Sequence, residues 1–382
     1  MSDTTRTERL VRVWLAESGQ PLPAERVSDA VLNAVPAIRQ ESGARSAVIA
    51  GRLGRALAAV AAAVALVVGA VFLTRGTGPS TVAGSPTPAP SASASPVKSP
   101  PAATPSSAVP GVTVIDMGAP TWALAIDEDS AWVQVGDVGI GRIDRATNRD
   151  TGIRVSEVPH MQFEGSDLWA LDIGTGIVRL DPRTGAVLQT IPGIAGYYIA
   201  VDGTTAWVTD TGHALDRVDL ATGKVTASID VPATPKEMAI FEGSVWVTCD
   251  GGGSVVRVDI ATNRVVATID AGTRPANLAA GEGAIWVWNH ERQLLRIDPS
   301  TNTVVATIGG VSETLGAGVA VGGGWVWVVM PEGIGRVDPA TNSVVDVIPL
   351  GAGGYVDLAW FGDELWASST DRNDVYRINP TP

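Results

Sequence analysis

The sequence predicts an all-β fold: a seven-bladed β-propeller closed by its own N-terminal strand. A short α-helical leader, one transmembrane helix and a disordered linker rich in Pro, Ser and Ala precede it. Three observations carry this prediction. Seven tryptophans recur at intervals of 37 to 41 residues: Trp132, Trp169, Trp207, Trp246, Trp286, Trp327 and Trp366. Each is followed about ten residues later by an arginine in the pattern Arg-aliphatic-Asp. These arginines are Arg142, Arg179, Arg217, Arg257, Arg296, Arg336 and Arg377, the last heading Arg-Ile-Asn instead. Finally, each repeat divides into four short runs of β-formers separated by Gly, Asn or Asp. A period near 40 residues fits one four-stranded blade.

Residues 1–55 are expected to form the leader, with two helices. The first opens at Thr5-Arg-Thr-Glu8, a capping-box spacing, and runs through Leu10, Val13 and Trp14. The second begins after Pro23, presents Val27, Val31, Ala34 and Val35, and is interrupted at Pro36. The segment resembles the short cytosolic leaders of bacterial single-span membrane proteins, some of them anti-sigma-like. It has no Cys or His, so the zinc-binding motif of many anti-sigma factors is absent. A plain helical hairpin at the membrane surface and a docking segment for a cytosolic regulator are both open at this point.

Residues 56–74 are uncharged and rich in Ala, Val and Leu. As a helix they would extend about 28 Å, close to the thickness of a bilayer core. Arg45, Arg52 and Arg55 precede the span and only Arg75 follows it closely. That asymmetry places the N-terminus in the cytoplasm and the propeller outside, in the cell membrane as a single-pass protein. A cleaved signal peptide fits poorly, because 55 residues is far too long for its charged leading region. Residues 75–111 contain nine prolines among Ser, Thr and Ala. Such a segment cannot bury a core and is expected to be an extended stalk of up to roughly 110 Å.

The propeller is expected over 112–382. Its fullest blade runs Ala276-Asn-Leu-Ala-Ala, Ala284-Ile-Trp-Val-Trp, Leu294-Leu-Arg-Ile-Asp and Thr303-Val-Val-Ala-Thr-Ile. Between third and fourth runs recurs Asp-x-x-Thr-Asn or Asp-x-x-Thr-Gly, as in Asp259–Asn263, Asp298–Asn302, Asp338–Asn342 and Asp181–Gly185. Asp accepts hydrogen bonds from amides two or three residues on, and Asn or Gly tolerates positive φ. These repeated polar residues are therefore turn chemistry rather than catalysis. The tryptophans are expected to pack between blades, with the arginines pairing locally or covering them. After Trp366 comes a third run, Val375-Tyr-Arg-Ile-Asn, and no fourth. The missing outer strand matches Val112-Thr-Val-Ile-Asp-Met, which resembles Val265-Val-Ala-Thr-Ile-Asp; its insertion would seal the ring.

Charge excludes one class of partner. The chain carries 27 basic and 40 acidic residues, a balance of −13. Residues 112–382 hold 17 basic and 34 acidic residues, a balance of −17. Such a domain is repelled by nucleic acid and anionic lipid. Cys249 is the only cysteine, so no internal disulfide exists; it reads as a small core residue ending a second strand.

The run Pro275-Ala-Asn-Leu-Ala-Ala…Ile285-Trp-Val…Leu295-Arg-Ile-Asp-Pro-Ser-Thr-Asn…Val304-Val-Ala-Thr-Ile resembles the YVTN-type repeat family. It is also similar to virginiamycin B lyase-like propellers. The likeness covers about residues 112–380 and implies the scaffold, which serves binding proteins and enzymes alike. In such propellers the innermost strand begins on the face where the second strand ends. Nine residues before each blade tryptophan stand Ala123, His160, Tyr198, Glu237, Asn277, Gly318 and Asp357. His, Tyr, Glu, Asn and Asp are unusual in a strand otherwise built of Ala, Val and Leu, and point to the channel mouth. Second-strand ends add Asp172, Asp210, Asn289 and His290 to that face, and His213 lies nearby.

Two functions compete. In the first, His160, Tyr198, Glu237, Asn277, Asp357, Asp210 and His290 form a binding surface for a cell-envelope ligand or protein, which would make the chain an envelope sensor. In the second, Glu237, Asn277 and Asp357 hold a Ca²⁺ or Mg²⁺ ion for lyase or lactonase chemistry. The resemblance to gluconolactonase-like and virginiamycin B lyase-like propellers implies that second reading, through the oxygen ligands and through Pro159-His160. However, those lyases use a His/Glu cluster, and with three histidines in all, Asn289-His290-Glu291 departs from it. No Ser-His-Asp arrangement or phosphate-binding glycine loop is present. The residues favour binding over catalysis.

Overall fold

The computed structural model describes residues 109–380 apart from 137–138, 157, 173, 211, 313–317 and 352. These residues belong to one compact unit, 105–382. The leader, the span over 56–74 and nearly all of the linker lie outside the described residues. Among those described, no helix is long and apolar enough to cross a membrane.

Seven antiparallel four-stranded sheets make up the fold. Six are simple meanders, innermost strand first: blade 1 over residues 121–155, then 160–192, 198–230, 235–270, 278–309 and 319–348. The seventh has Tyr355–Phe361, Glu364–Ser369 and Asp374–Ile378 from the C-terminal end, and takes Val112–Asp116 as its outer strand. The closing register runs from Val112 opposite Ile378 to Asp116 opposite Asp374. Met117 continues the ladder by donating its amide to the Asn373 carbonyl at 2.9 Å. The carbonyls of Val109 and Gly111 also accept amide bonds, from Val112 and Asn379. Each innermost strand touches that of the next blade, and the first, Thr121–Ile126, touches the last, Tyr355–Phe361. The ring is closed.

The repeat has a clear physical basis. All seven tryptophans lie on second strands directly opposite their arginines on third strands, as Trp132 opposite Arg142 and Trp366 opposite Arg377. Their indoles are buried between sheets among alternating Val, Ile and Leu. The core is thus a series of layers between blades, such as the one joining blades 7 and 1 through Ile115, Met117, Val133, Trp366 and Val375.

The arginines do more than pair locally. Arg257 lies over Trp246 at 5.0 Å and crosses to the next blade, donating to the Pro299 carbonyl at 2.5 Å and to Asn302 Oδ1 at 3.0 Å. Arg217 reaches Ile260 and Asn263 in the same manner, Arg296 reaches Pro339 and Asn342, and Arg377 reaches Arg145 and Asn148. The recurring turn aspartates accept bonds from their own loops, as Asp259 does from Thr262 N and Oγ1. The turn asparagines sit at φ near +55°. Where the turn ends in glycine, the clamp changes. Gly223 offers no side-chain acceptor, and Arg179 of the preceding blade pairs with Asp167 at 3.3 Å, while Gln189 donates to the Leu220 carbonyl.

Candidate functional site

One end of the channel, the mouth, is where innermost strands begin. His160 and Tyr198 are the first residues of theirs, and Asn277 and Gly318 stand immediately before theirs. Glu237 and Asp357 are third in Pro235–Phe241 and Tyr355–Phe361. Both lie where the register slips, between Pro235 and Met238 and between Tyr355 and Leu358. Such a bulge re-aims a side chain that regular pleating would direct elsewhere.

The mouth is narrow enough for side chains to cross it. His160 Nε2 lies 3.1 Å from Glu237 Oε1, joining blades 2 and 4. Asn277 Nδ2 donates to the Val356 carbonyl at 3.4 Å, joining blades 5 and 7. Tyr198, on the intervening blade 3, sets its ring edge-on to His160 at 5.2 Å and against Tyr197 at 5.0 Å. On the opposite side Gly318 permits close approach, since a Cβ there would come within 2.6 Å of the Leu358 nitrogen. The sequence-predicted ring residues His160, Tyr198, Glu237, Asn277 and Asp357 are therefore brought together.

These side chains also satisfy backbone. An innermost strand has one edge without a strand partner, and its buried amides need acceptors. His160 Nδ1 accepts from Ile199 N at 3.3 Å, Gln162 Oε1 from Val201 N at 3.1 Å, and Glu164 Oε1 from Gly203 N at 2.9 Å. Alternate residues of blade 2 thus serve alternate amides of blade 3. Asp357 Oδ2 does the same for Leu124 N of blade 1, at 2.8 Å. With Nδ1 an acceptor, the neutral His160 carries its proton on Nε2 and donates it to Glu237.

The charges at the mouth perturb one another. Burial, followed by the Glu237 charge, pushes the Asp357 pKa up to about 7, with the Leu124 amide and His160 pulling the other way. For His160, burial opposes the charged ring, yet the Glu237 and Asp357 carboxylates outweigh it and hold the pKa above its usual value. Among the described residues, no three His, Cys, Asp or Glu gather at metal-binding spacing. In the expected metal set, Glu237, Asn277 and Asp357 each commit one polar atom to a protein partner.

Asp210 and His290 are not part of this cluster. Asp210 Oδ1 accepts from the amides of Gly212 and Ala214, closing its own loop. Asp172 and Asn289 occupy the same place in their blades and do the same. His290 packs on Trp288 at 4.7 Å. It faces a group that sequence reasoning missed: Asp250, 8% exposed, held by Lys236 Nζ at 2.9 Å and Arg274 Nε at 2.9 Å. Burial and then the Arg274 charge hold His290 below its ordinary pKa. Two clefts of about 470 and 360 Å³ lie elsewhere, beside the closure of the ring, and share Arg377.

No protein-family model and no curated protein sequence matches the chain. Among solved structures, virginiamycin B lyase from Staphylococcus aureus is 14% identical, with a TM-score of 0.60 over 71% of this chain and 99% of that one. BamB from Moraxella catarrhalis is 15% identical, with a TM-score of 0.49 over 67% of this chain and 82% of that one. At such identity the lyase likeness speaks for architecture alone. Residues 112–378 form a closed seven-bladed β-propeller with a polar cluster at one mouth of its channel.

Proposed function

We propose that this propeller is a binding module whose ligand, a cell-envelope component or protein, seats on the mouth face around His160, Tyr198, Glu237 and Asp357. One observation carries the reading. Polar side chains from five blades converge there, whereas the repeated polar residues of the Asp-x-x-Thr turns serve those turns. An array of peptidoglycan fragments and short peptides tests it. A ligand captured by the native domain should be lost on Tyr198→Ala and Glu237→Gln, and kept on Asp210→Asn. Retention by the first two variants would overturn the assignment of the site.

We further propose that residues 56–74 anchor the chain in the cell membrane, with the propeller outside and residues 1–55 facing a cytosolic regulator. The charge asymmetry of Arg45, Arg52 and Arg55 against Arg75 supports this topology. Protease added to intact cells should then digest the propeller and spare the leader. A protected propeller would refute the orientation.

A second reading, a metal-dependent lyase or lactonase, is favoured by the mutual electrostatic influence of Asp357, Glu237 and His160, the equipment of general acid–base chemistry. Ca²⁺ or Mg²⁺ held by Glu237, Asn277 and Asp357 would polarise a substrate carbonyl. The lack, among the described residues, of three His, Cys, Asp or Glu at metal-binding spacing ranks it second. Elemental analysis decides: a divalent ion at one per chain, lost on Asp357→Asn, would establish it. A metal-free domain whose melting ignores Ca²⁺, Mg²⁺ and EDTA would dismiss it.

A further inference from the structure

Beside the mouth, two cations from blades 4 and 5 converge on one carboxylate. Lys236 Nζ lies 2.9 Å from Asp250 Oδ2, while Arg274 donates through Nε to Oδ1 at 2.9 Å and through Nη2 to Oδ2 at 3.2 Å. Two cations thus share one carboxylate, in a domain whose balance is −17. Asp250 is buried, yet the side chains of Lys236 and Arg274 keep 20% and 30% of their surface. The nearby acid Glu291 is engaged by Thr273 N and Oγ1, at 2.9 and 2.8 Å.

The backbone holds these cations at a cost. Thr234 has φ of 57° and Arg274 has φ of 50°, and both precede a proline, Pro235 or Pro275. A β-branched residue in this region is a true outlier. Strain of this kind persists where the surroundings impose it, and it recurs at ligand sites. Both strained residues lead into innermost strands, and Lys236 directly precedes Glu237 of the throat.

We propose that Lys236 and Arg274 form a subsite for a carboxylate group of the ligand. This deepens the binding reading of the same face and rests on it. The planar Arg274 guanidinium, with the Lys236 ammonium beside it, suits the two oxygens of a carboxylate. A dianionic phosphate would leave negative charge facing Glu237 and Asp357. Glu237 alongside favours a cation or hydrogen-bond donor elsewhere on the ligand. The class is therefore amino-acid-like: a carboxylate with a positive or donor group within reach.

His290 provides the assay, because it feels the charges of Arg274, Asp250 and Lys236. Glycylglycine, a zwitterion ending in a carboxylate, should shift the imidazole proton signals of His290 saturably at millimolar concentration and leave His213 in place. Methyl phosphate and ethylamine should act at least about tenfold more weakly. Lys236→Met should abolish the shift, and since Arg274 still pairs with Asp250 the fold is retained. Asp250→Asn removes the internal competitor and should tighten binding roughly tenfold. A non-saturating shift common to His213 and His290, or weaker binding by Asp250→Asn, would overturn the subsite. Array capture separates the two readings: loss on Glu237→Gln with full retention on Lys236→Met would sink the subsite and spare the binding module.

Discussion

At the residue scale, the mouth converts position into titration. Asp357 holds its proton more tightly folded than unfolded, its pKa being pushed up from 3.8 to about 7. Stability therefore declines as pH rises from about 4 through about 7. His160, raised as well, adds stability that is complete below its unfolded value and disappears as pH climbs through its folded one. Both slopes run in the same direction. Asp357→Asn keeps an oxygen for the Leu124 amide and should lose less melting temperature than the native domain between pH 5 and pH 8; parallel melting curves would contradict the assignment. The candidate ring was legible in the sequence because His160, Tyr198, Glu237, Asn277 and Asp357 interrupt an Ala/Val/Leu position of the repeat. Their crossing pairs were not, since the bulges at Glu237 and Asp357 depend on sheet register. The alternation His160, Gln162, Glu164 was a signal available in the chain, a polar row on one side of a strand. Lys236 lies at the start of an innermost strand while Asp250 and Arg274 come from two loops, and nothing in their spacing announces the shared carboxylate.

At the scale of the element, the blade is held by its neighbour as much as by itself. Each clamp joins an arginine on a tryptophan face to the next turn, in a charge-assisted bond worth roughly 1.5–3 kcal/mol. Asn302→Gly tolerates the φ of 55° while deleting the acceptor of Arg257. It should destabilise the domain by about 1–2 kcal/mol in chemical denaturation. Asn302→Ala should cost more, because alanine resists positive φ. No change in either variant would show that the clamp is ornamental. Asp-x-x-Thr-Asn could be read as a turn from its residues alone, since Asx hydrogen bonding is local. The reach of the arginine into the following blade could not, because it spans about 45 residues and requires the ring.

At the scale of the molecule, closure rests on Val112–Asp116 and on an ionic latch. Glu364 accepts from Arg377 Nε at 2.9 Å and from Arg145 Nη2 at 2.8 Å, tying blade 7 to blade 1. Ile115 and Met117 are buried in the layer between these blades. A chain beginning at residue 119 should lose at least about 3 kcal/mol of stability, by analogy with large-to-small core losses. A peptide of residues 109–117 added in trans should restore part of it. Unchanged denaturation of the shortened chain would show the strand to be dispensable. This pairing was readable in advance because a seventh repeat lacked its last run and a matching run stood free at the other end.

Timing follows from that same pairing. Ile378 meets Val112 across more than 260 positions of chain, so the circle cannot lock while the ribosome is still making the last blade. Six wedges must wait with raw flanks, and such long-range pairing slows folding. Emergence of the final strand, rather than of any blade before it, is the event that turns a vulnerable arc into a durable one.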